Sequence, residues 1–326
     1  MSAQLQSRRG DLALGTELHG DSGCLYRLTE VLSLRERPFI RVYLARDSNE
    51  RKYVMKTIFQ SEFEYQMSLQ KPLSVCPNLR VLVDSVPQHL LFVYEYLADD
   101  LLRLGQRDLP AIARKRILRD ALTGLAEIHD RGIVHTDIKP NNILIDFEES
   151  PDGIQVKNVK LSDLENAACP PPGKSIKGPL LGNHMWRSPE AHVRAKVHKP
   201  ADIFSFGVVC IYVMLKMILF QLPDNFPPGV DPVPFILERQ FSYFGDRSGV
   251  AGLIEHVGPD SPWQEAFTEI MSRLIEKDNP PRPFVGWRDV EDAEFKDVVG
   301  RMTKLDPKQR ITAREALEHP WFRDAL

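Results

Sequence analysis

The sequence predicts an α+β fold in two unequal parts, a small sheet-rich N-terminal part and a larger helical C-terminal part. Short runs rich in β-branched and aromatic residues fill residues 26–58 and recur before residue 98, which is typical of strands. After about residue 100 the apolar residues repeat with the period of a helix, most clearly at 114–132. The chain has 326 residues, which is enough for one large domain or two closely packed domains.

The first part is predicted to contain three strands, a helix and two further strands. The runs YRLTEVLSL, FIRVYLARD and KYVMKTIF predict the first three, with the polar turn SNER before the last. A helix is predicted over 61–73, where Ser61 can cap the first turn and Glu64 can complete a capping box. LRVLVDSV and HLLFVYEYL predict the other two strands. Residues 1–22 are polar without clear periodicity, and we expect a flexible tail there.

Two helices are predicted most clearly in the second part. Apolar side chains share one face of 114–132, and Gly132 supplies a stop signal. The run IFSFGVVCIYVMLKMILFQL approaches the length of about 20 apolar residues that a membrane span requires. Because it carries Ser205, Lys216 and Gln221, we expect a buried central helix and no membrane anchor.

Composition and charge exclude several classes of function. With 43% hydrophobic and 27% charged residues the chain is an ordinary globular sequence, and its net charge of −3 gives no general attraction to nucleic acid or anionic membranes. Four cysteines occur without a C-x-x-C pair, which argues against a disulfide framework and a zinc site. The N-terminus lacks the apolar core of a secretory signal. We expect a cytoplasmic or nuclear monomer that binds neither nucleic acid nor membrane directly.

The segment HTDIKPNNIL concentrates polar side chains after a helix and before an apolar run. Asp137, Lys139 and Asn142 could converge on one ligand, or the segment could be a polar turn between buried elements. Other motifs favour the first interpretation: YVMK ends in Lys56 before this segment, and KLSDLENA is centred on Asp163 after it. GNHMWRSPEA, ADIFSFG and LDPKQRITAREALEHPWF then follow in that order.

In order and spacing, these motifs resemble the signature set of eukaryotic protein kinases. The resemblance implies a bilobal kinase fold and transfer of the γ-phosphoryl group of ATP to a hydroxyl of a protein substrate. It implies that Asp137 is the catalytic base and that Lys139 stabilises the transferring phosphoryl group. Lys56 would bind the α- and β-phosphates. Asn142 and Asp163 would supply oxygen ligands to Mg²⁺, so that ATP and Mg²⁺ are the implied cofactors.

The same resemblance implies two structural contacts, an ion pair of Glu190 with Arg310 and hydrogen bonds between Asp202 and the backbone of the catalytic loop. It also implies an adenine pocket and domain boundaries. The carbonyl of Glu95 and the amide of Leu97 would pair with the base. The side chains implied to close the pocket above and below the base are apolar: Leu34, Val42, Val54 and Leu144. The implied organisation is a flexible tail at 1–22, an N-lobe at 23–94, a hinge at 95–98 and a C-lobe at 99–326.

Further residues narrow the resemblance to one branch of the kinases. Lys139 followed by Pro140 is typical of Ser/Thr-directed kinases, and WRSPE is similar to the corresponding segment of CMGC kinases. HTD together with DLENA resembles the SR-protein kinases, which implies an Arg/Ser-rich protein substrate. Thr136 stands where regulated kinases have the arginine that receives the activation-loop phosphate. We therefore expect an activity that does not depend on phosphorylation of the activation loop.

Four positions depart from the kinase pattern. Arg35, Arg37 and Ile40 replace the glycines of the glycine-rich loop, and Glu165 replaces the glycine of D-F-G. Glycines let the backbone approach the phosphates, whereas Cβ atoms restrict that approach. Two functions therefore remain open, an active Ser/Thr kinase and a pseudokinase that acts as a scaffold or allosteric partner. A small-molecule phosphotransferase is a third, which WRSPE and the C-terminal motif disfavour.

The helix of the first part also departs from the pattern. By position, Gln66 replaces the glutamate that pairs with Lys56 in kinases. Glu62 lies one turn earlier on the same face and is the alternative partner. The sequence leaves the choice between these two residues open.

Overall fold

The computed structural model describes residues 12–36, 39–151, 153–276 and 280–323. The chain divides into two compact units, Met1–Ala98 and Asp99–Leu326. In the residues that the structure describes, the first is a sheet with one α-helix and the second is mainly helical, which confirms the predicted fold class. None of the helices in the described ranges combines the length and apolar composition needed to cross a bilayer.

The first unit is built on a six-stranded antiparallel sheet with the order β1-β2-β3-β4-β6-β5. Its elements are β1 Glu17–His19, β2 Leu25–Glu36, β3 Phe39–Arg46, β4 Lys52–Thr57, α1 Phe63–Gln70, β5 Leu82–Val86 and β6 Leu91–Glu95. A 3₁₀ turn follows α1 directly. All five strands that the sequence predicts in this part are present.

Strand β1 lies within the segment for which the sequence predicts a flexible tail. It pairs in antiparallel register with β2. The turn after β1 also reaches β5 at the opposite edge of the sheet, where the Ser22 N–H donates to Asp84 Oδ1 at 3.0 Å. Tyr26 donates its hydroxyl to Oδ2 of the same carboxylate at 3.0 Å. The segment 12–22 therefore contains one strand of the sheet and turns that bond to it, and the tail prediction for 1–11 lies outside the described residues.

Helix α1 begins at Phe63, two residues later than predicted. Glu62 is its N-cap residue and no side chain caps this end, so the predicted capping box of Ser61 and Glu64 is wrong. The ring of Phe63 instead packs against Phe92 of the sheet, with 4.7 Å between the ring centroids. Apolar packing against β6 therefore fixes the start of this short helix.

The second unit combines a small three-stranded sheet, β7-β8-β9, with a set of helices. Its elements are β7 Asp99–Asp100, α2 Leu101–Leu104, α3 Ala111–Asp130, β8 Ile143–Ser150, β9 Gly153–Leu161, α4 Pro189–His192, α5 Lys199–Leu215, α6 Val233–Phe244, α7 Arg247–Val257, α8 Trp263–Glu276, α9 Ala293–Met302, α10 Ala313–Leu317 and α11 Pro320–Arg323.

The two helices predicted most clearly in this unit are α3 and α5. Helix α3 buries one face, and the chain leaves it through Gly132, which has a φ of 78°. Helix α5 is buried along almost its whole length and ends before Lys216, whose φ is 57°. The predicted buried central helix is therefore present, but it covers Lys199–Leu215 and ends before Lys216, so the last seven residues of the predicted run 203–222 lie outside it.

Candidate functional site

The open end of the β8–β9 hairpin brings Asn142 and Asp163 together. The ladder pairs Ile143 with Leu161. One step beyond the strands, the Ser162 N–H donates to the Asn142 carbonyl at 2.8 Å. Asp163 follows directly in the left-handed conformation, with φ of 65° and ψ of 43°. Two polar residues that are distant in sequence are therefore neighbours at one end of a rigid hairpin.

The polar side chains of HTDIKPNNIL converge on the carboxylate of Asp137. Lys139 donates its ammonium to Asp137 Oδ2 at 2.5 Å. The Asn142 amide nitrogen lies 2.8 Å from the Asp137 carbonyl and 3.3 Å from its Oδ2. The Asp137 side chain retains 13% of its exposure and that of Lys139 retains 22%. A negative group reachable from solvent is thus held by one cation and one amide.

Asn142 and Asp163 offer the donor set of a hard cation. Because the Asn142 amide nitrogen faces Asp137, its amide oxygen faces the opposite way. This oxygen and the Asp163 carboxylate suit Mg²⁺, which usually takes few protein ligands and completes its octahedron with phosphate oxygens and water. Among the described residues, no group of three or more His, Cys, Asp or Glu could hold a metal ion by itself. The residues fit Mg²⁺ that arrives together with a phosphate ligand.

Asp202 holds the backbone of this segment from the start of α5. Its Oδ2 and Oδ1 accept hydrogen bonds from the N–H groups of His135 and Thr136 at 2.8 and 2.9 Å. His129 Nε2 lies 2.9 Å from the same Oδ2. Thr136 has a φ of 70°, a strained conformation for a β-branched residue. The buried carboxylate stabilises that conformation, and the structural role predicted for Asp202 is confirmed.

His135 links the same segment to the end of β9. Its Nδ1 lies 3.3 Å from the Asp137 N–H, which donates to it. Nε2 therefore carries the proton and donates to the Ser162 carbonyl at 2.8 Å. The fully buried His135 imidazole thus joins the backbone of Asp137 to that of Ser162, the residue before Asp163.

Thr136 makes a contact that sequence reasoning missed. Its hydroxyl donates to the Asn166 carbonyl at 3.0 Å. The bond joins the segment that contains Asp137 to the 3₁₀ turn Leu164–Asn166 that follows Asp163. The only sequence signal for it was a hydroxyl residue at the position where the kinase pattern has arginine.

Arg187 folds the chain before it back on itself. Its guanidinium donates to the carbonyls of Leu181 and Gly182, and Gln240 donates to the Arg187 carbonyl at 2.8 Å. Gly182 has a φ of 73°, and a Cβ atom there would lie 2.9 Å from the Thr136 carbonyl. Sequence reasoning missed this contact because backbone carbonyls leave no sequence pattern.

The histidines near Arg187 lose their basicity. Burial lowers the pKa of His184, and the charge of Arg187 lowers it further. Burial, then Arg187 and His184, lower the pKa of His192 to about 3. Burial also lowers the pKa of Arg187, while Asp137 opposes that shift. At neutral pH the positive charge of this region therefore comes from lysine and arginine.

A buried ion pair anchors the same region to the rest of the unit. Arg310 donates to both carboxylate oxygens of Glu190 at 2.6 and 2.8 Å. The two side chains are 0% and 1% exposed. Arg310 also donates to the carbonyls of Pro200 and Leu305. The structural ion pair predicted from the sequence is confirmed.

In the first unit, three of the predicted ATP-binding residues share one face of the sheet. Lys56 of β4 lies directly opposite Val42 of β3. Val54 is two residues before Lys56 and therefore lies on the same face. Leu34 pairs with Arg41, one residue out of phase with Val42, and its side chain is 60% exposed. The ladder does not group Leu34 with the other three, so its predicted role rests on the resemblance alone.

The remaining predicted adenine contacts lie in both units. Glu95 ends β6, and its carbonyl accepts a hydrogen bond from Arg80 Nε at 2.8 Å. Since a carbonyl has two lone pairs, it can accept a second donor. Leu97 is buried. Leu144 is half-buried in β8, where it pairs with Asp100.

The residues that depart from the kinase pattern differ in how far they are buried. Arg35 pairs with Ile40 across the β2–β3 hairpin, and Arg37 lies outside the described residues. Glu165 is half-buried in the 3₁₀ turn after Asp163. Gln66 is buried, with 3% exposure.

Glu62, the alternative partner of Lys56, is an exposed residue at the start of α1. Burial therefore distinguishes it from Gln66, which faces the interior of the first unit. The choice between the two as partner of Lys56 stays a prediction.

Comparisons with known proteins match most of the chain. A family model described as protein kinase domain matches residues 38–322. The cell division control protein 2 homolog 3 of Trypanosoma brucei brucei is 26% identical over 259 residues, which are 77% of this chain and 74% of that protein. The serine/threonine-protein kinase SSN3 of Yarrowia lipolytica is 25% identical over 322 residues, covering 87% of this chain and 74% of that protein.

A third relative is matched over less of its own length. The meiosis induction protein kinase IME2/SME1 of Saccharomyces cerevisiae is 28% identical over 269 residues, which are 76% of this chain and 40% of that protein. These relatives are kinases of the CMGC type. The resemblance to SR-protein kinases stays a prediction.

Proposed function

This chain belongs to the protein kinase domain family, and on that basis we propose that it transfers the γ-phosphoryl group of Mg-ATP to a Ser or Thr hydroxyl of a protein substrate. The observation that carries the proposal is the convergence of Lys139 and Asn142 on the Asp137 carboxylate, beside Asp163 at the end of the β8–β9 hairpin. Phosphoryl transfer needs positioned charges more than covalent catalysis, and this arrangement supplies them.

Asp137 is the proposed base of this reaction. Its carboxylate orients the substrate hydroxyl and takes its proton as the hydroxyl oxygen forms a bond to the γ-phosphorus. The bond from the γ-phosphorus to the bridging oxygen breaks, and ADP leaves with that electron pair. Lys139, held 2.5 Å from Asp137, brings positive charge to the transferring phosphoryl group.

Nucleotide contacts are proposed for residues of each unit. Lys56 pairs with the α- and β-phosphates, and the backbone of Glu95 and Leu97 pairs with adenine. Apolar side chains close the pocket, namely Val42, Val54, Leu144 and Leu34. Asn142 and Asp163 hold the metal, and Mg²⁺ when bound neutralises phosphate charge.

We also propose that the active arrangement forms without phosphorylation of the activation loop. In regulated kinases a phosphate on that loop is bound by the arginine that precedes the catalytic aspartate. Here Thr136 occupies that position, and its hydroxyl already bonds to the Asn166 carbonyl at 3.0 Å. The contact supports a direct link between the two segments that needs no phosphate.

Removing the Thr136 hydroxyl should therefore lower activity, whereas removing that of Ser175, a serine of the activation loop between Asp163 and Glu190, should not. Thr136→Val keeps the branched shape and loses a hydrogen bond worth about 1 kcal/mol, so we expect a roughly fivefold lower kcat/KM. Thr136→Ser keeps the donor and is the matched control. Ser175→Ala should stay within about twofold of the original chain. A large gain in kcat on phosphorylating Ser175 would contradict the proposal.

A scaffold without catalysis is the second candidate function. Arg35 and Ile40 place Cβ atoms at positions where kinases have glycine, and Glu165 adds a carboxylate next to Asp163. Side chains at these positions disfavour close backbone contact with phosphates. Nucleotide binding distinguishes this candidate from an active kinase.

Mg-ATP should stabilise the protein, and Asp163→Asn should abolish the magnesium-dependent part of that effect. At a nucleotide concentration 100-fold above Kd, the stabilisation is about 2.7 kcal/mol. Asparagine accepts the left-handed conformation of Asp163 readily, so the variant keeps its fold. Thermal unfolding with ATP alone, Mg²⁺ alone and both together measures the effect. An unchanged Tm in all three conditions would favour the scaffold.

Further properties of the protein stay predictions from the sequence. An Arg/Ser-rich substrate rests on the likeness of HTD and DLENA to the SR-protein kinases. A monomeric state and a cytoplasmic or nuclear location rest on composition. Each belongs to the proposal and needs its own measurement.

A further inference from the structure

The chain between Asp163 and α5 is strongly basic in a protein whose net charge is −3. Residues 166–201 contain six Lys or Arg and a single acidic residue, Glu190. Glu190 is neutralised by its buried pair with Arg310. Arg187 is buried and turned toward backbone carbonyls, so five cations remain to shape the surface.

Four of these cations flank a single antiparallel bridge. Ile176 and Val197 exchange both backbone hydrogen bonds, at 3.0 and 2.8 Å. Antiparallel pairing places the residues after one partner alongside those before the other. It therefore brings Lys177 alongside Lys196, while Lys174 and Lys199 each lie two residues from a bridge partner on the other side of the bridge. We call these four residues the lysine surface.

The lysine surface is exposed and positively charged. Lys174, Lys177 and Lys196 are exposed and Lys199 is half-exposed. Among the described residues, no carboxylate forms an ion pair with any of the four. Like charges placed across a bridge destabilise it, and an anionic ligand removes that cost. Lys177 and Lys196 thus form a site that favours a negative group.

The bridge lies next to the proposed catalytic base. Asp137, Leu181 and Val197 line one small cavity. Ile176 and Leu181 both pack against the apolar cluster that contains Val197. Three residues lie between Lys177 and Leu181, so the four steps of chain from one to the other span at most about 14 Å. Lys196 is the direct neighbour of Val197.

We propose that the lysine surface binds acidic side chains of the substrate, so that the enzyme selects Ser or Thr residues flanked by Asp or Glu. The inference rests on the proposed kinase function and adds a substrate class to it. An extended peptide advances about 3.3 Å per residue. With its hydroxyl at Asp137, acidic residues about two to five positions away reach the lysine surface.

The same charges disfavour an Arg/Ser-rich substrate. Arginine side chains near the acceptor would meet Lys177 and Lys196 with like charge, and like-charge contacts oppose binding. The alternative is that the four lysines are only a solvated surface. Binding of an acidic peptide is favoured over it, because the four lysines lie on both sides of one bridge beside Asp137. The substrate preference predicted from sequence resemblance and the one inferred from charge are therefore opposite.

Three peptides that differ only in their flanks test the inference. Each carries one central serine, and positions two to five on either side are Glu, Ala or Arg. At low ionic strength we expect kcat/KM to be highest for the Glu peptide and at least about tenfold lower for the Arg peptide, from several partly exposed charge pairs. Added salt should reduce the difference. A preference for the Arg peptide overturns the inference.

Charge reversal identifies the residues responsible. Lys196→Glu should lower the ratio of kcat/KM for the Glu and Ala peptides about threefold to tenfold, and Lys177→Glu should act in the same direction. Arg116→Glu is the matched control, because it changes the net charge equally. Arg116 is in α3, about 21 Å along the helix axis from the last residue of the helix, Asp130. An equal loss in all three variants would mean that net charge alone acts and would overturn the inference.

A binding measurement separates failure of the inference from failure of the proposed function. A fluorescein-labelled Glu peptide with alanine in place of the acceptor serine reports binding by anisotropy without turnover. Lys196-dependent, salt-sensitive binding without phosphorylation of any peptide would reject kinase activity and keep the acidic ligand. Absence of binding, or equal binding of a single-stranded oligonucleotide of the same charge, overturns the acidic-peptide inference.

Discussion

Asp137→Asn is expected to lower kcat by about 10²- to 10⁴-fold, the usual contribution of a general base. The variant keeps the hydrogen bonds of the Asp137 backbone to His135 and Asn142, so the segment should stay folded. KM for ATP should change little, because the carboxylate is proposed to act on the substrate hydroxyl. Radiolabelled ATP and a degenerate Ser/Thr peptide library measure the rate.

Asp146→Asn is the control for this substitution. Asp146 is a half-buried aspartate in β8, four residues beyond Asn142, and it has no proposed catalytic role. It should retain the activity of the original chain. If Asp137→Asn keeps more than half of the activity while its fold is intact, the base is another residue and the proposed mechanism is wrong.

Glu190→Gln is expected to lower the free energy of unfolding by about 3–5 kcal/mol, the cost of leaving one charge of a buried pair uncompensated. Arg310 would keep its charge at 0% exposure and lose both charge-assisted bonds to Glu190. Urea unfolding followed by tryptophan fluorescence measures the change.

Glu255→Gln provides the matched comparison. Glu255 also pairs with a cation, Lys308 at 2.7 Å, but the two side chains are 73% and 63% exposed. Water screens this pair, so its loss should have little measurable effect on stability. Equal effects of the two substitutions would contradict the importance of burial for the Glu190–Arg310 pair.

The residues of the candidate site could be located from sequence because their chemistry needs particular side chains at short, fixed spacings. The contacts among Asp137, Lys139 and Asn142 follow from their closeness in sequence, because all three lie within one six-residue segment. The Glu190–Arg310 pair could be predicted as well, although 120 residues separate its members. Both members belong to motifs whose order resembles that of a known family.

Other features could not be predicted because their partners are backbone atoms or short segments. The bonds from Arg187 to Leu181 and Gly182, and from Thr136 to Asn166, end on carbonyls that every residue has. The three residues of β1 form a strand only because β2 lies beside them. Tertiary contacts decide such short elements, and local pattern does not.

Strand β1 also determines where a recombinant fragment of this protein can begin. The family match starts at residue 38, whereas the sheet starts at Glu17. Trimming to the match would remove β1 and β2 and leave the backbone of β3 as an open edge, which promotes aggregation. The Ser22 bond to Asp84 would be lost as well. A fragment intended for expression should therefore start upstream of Glu17.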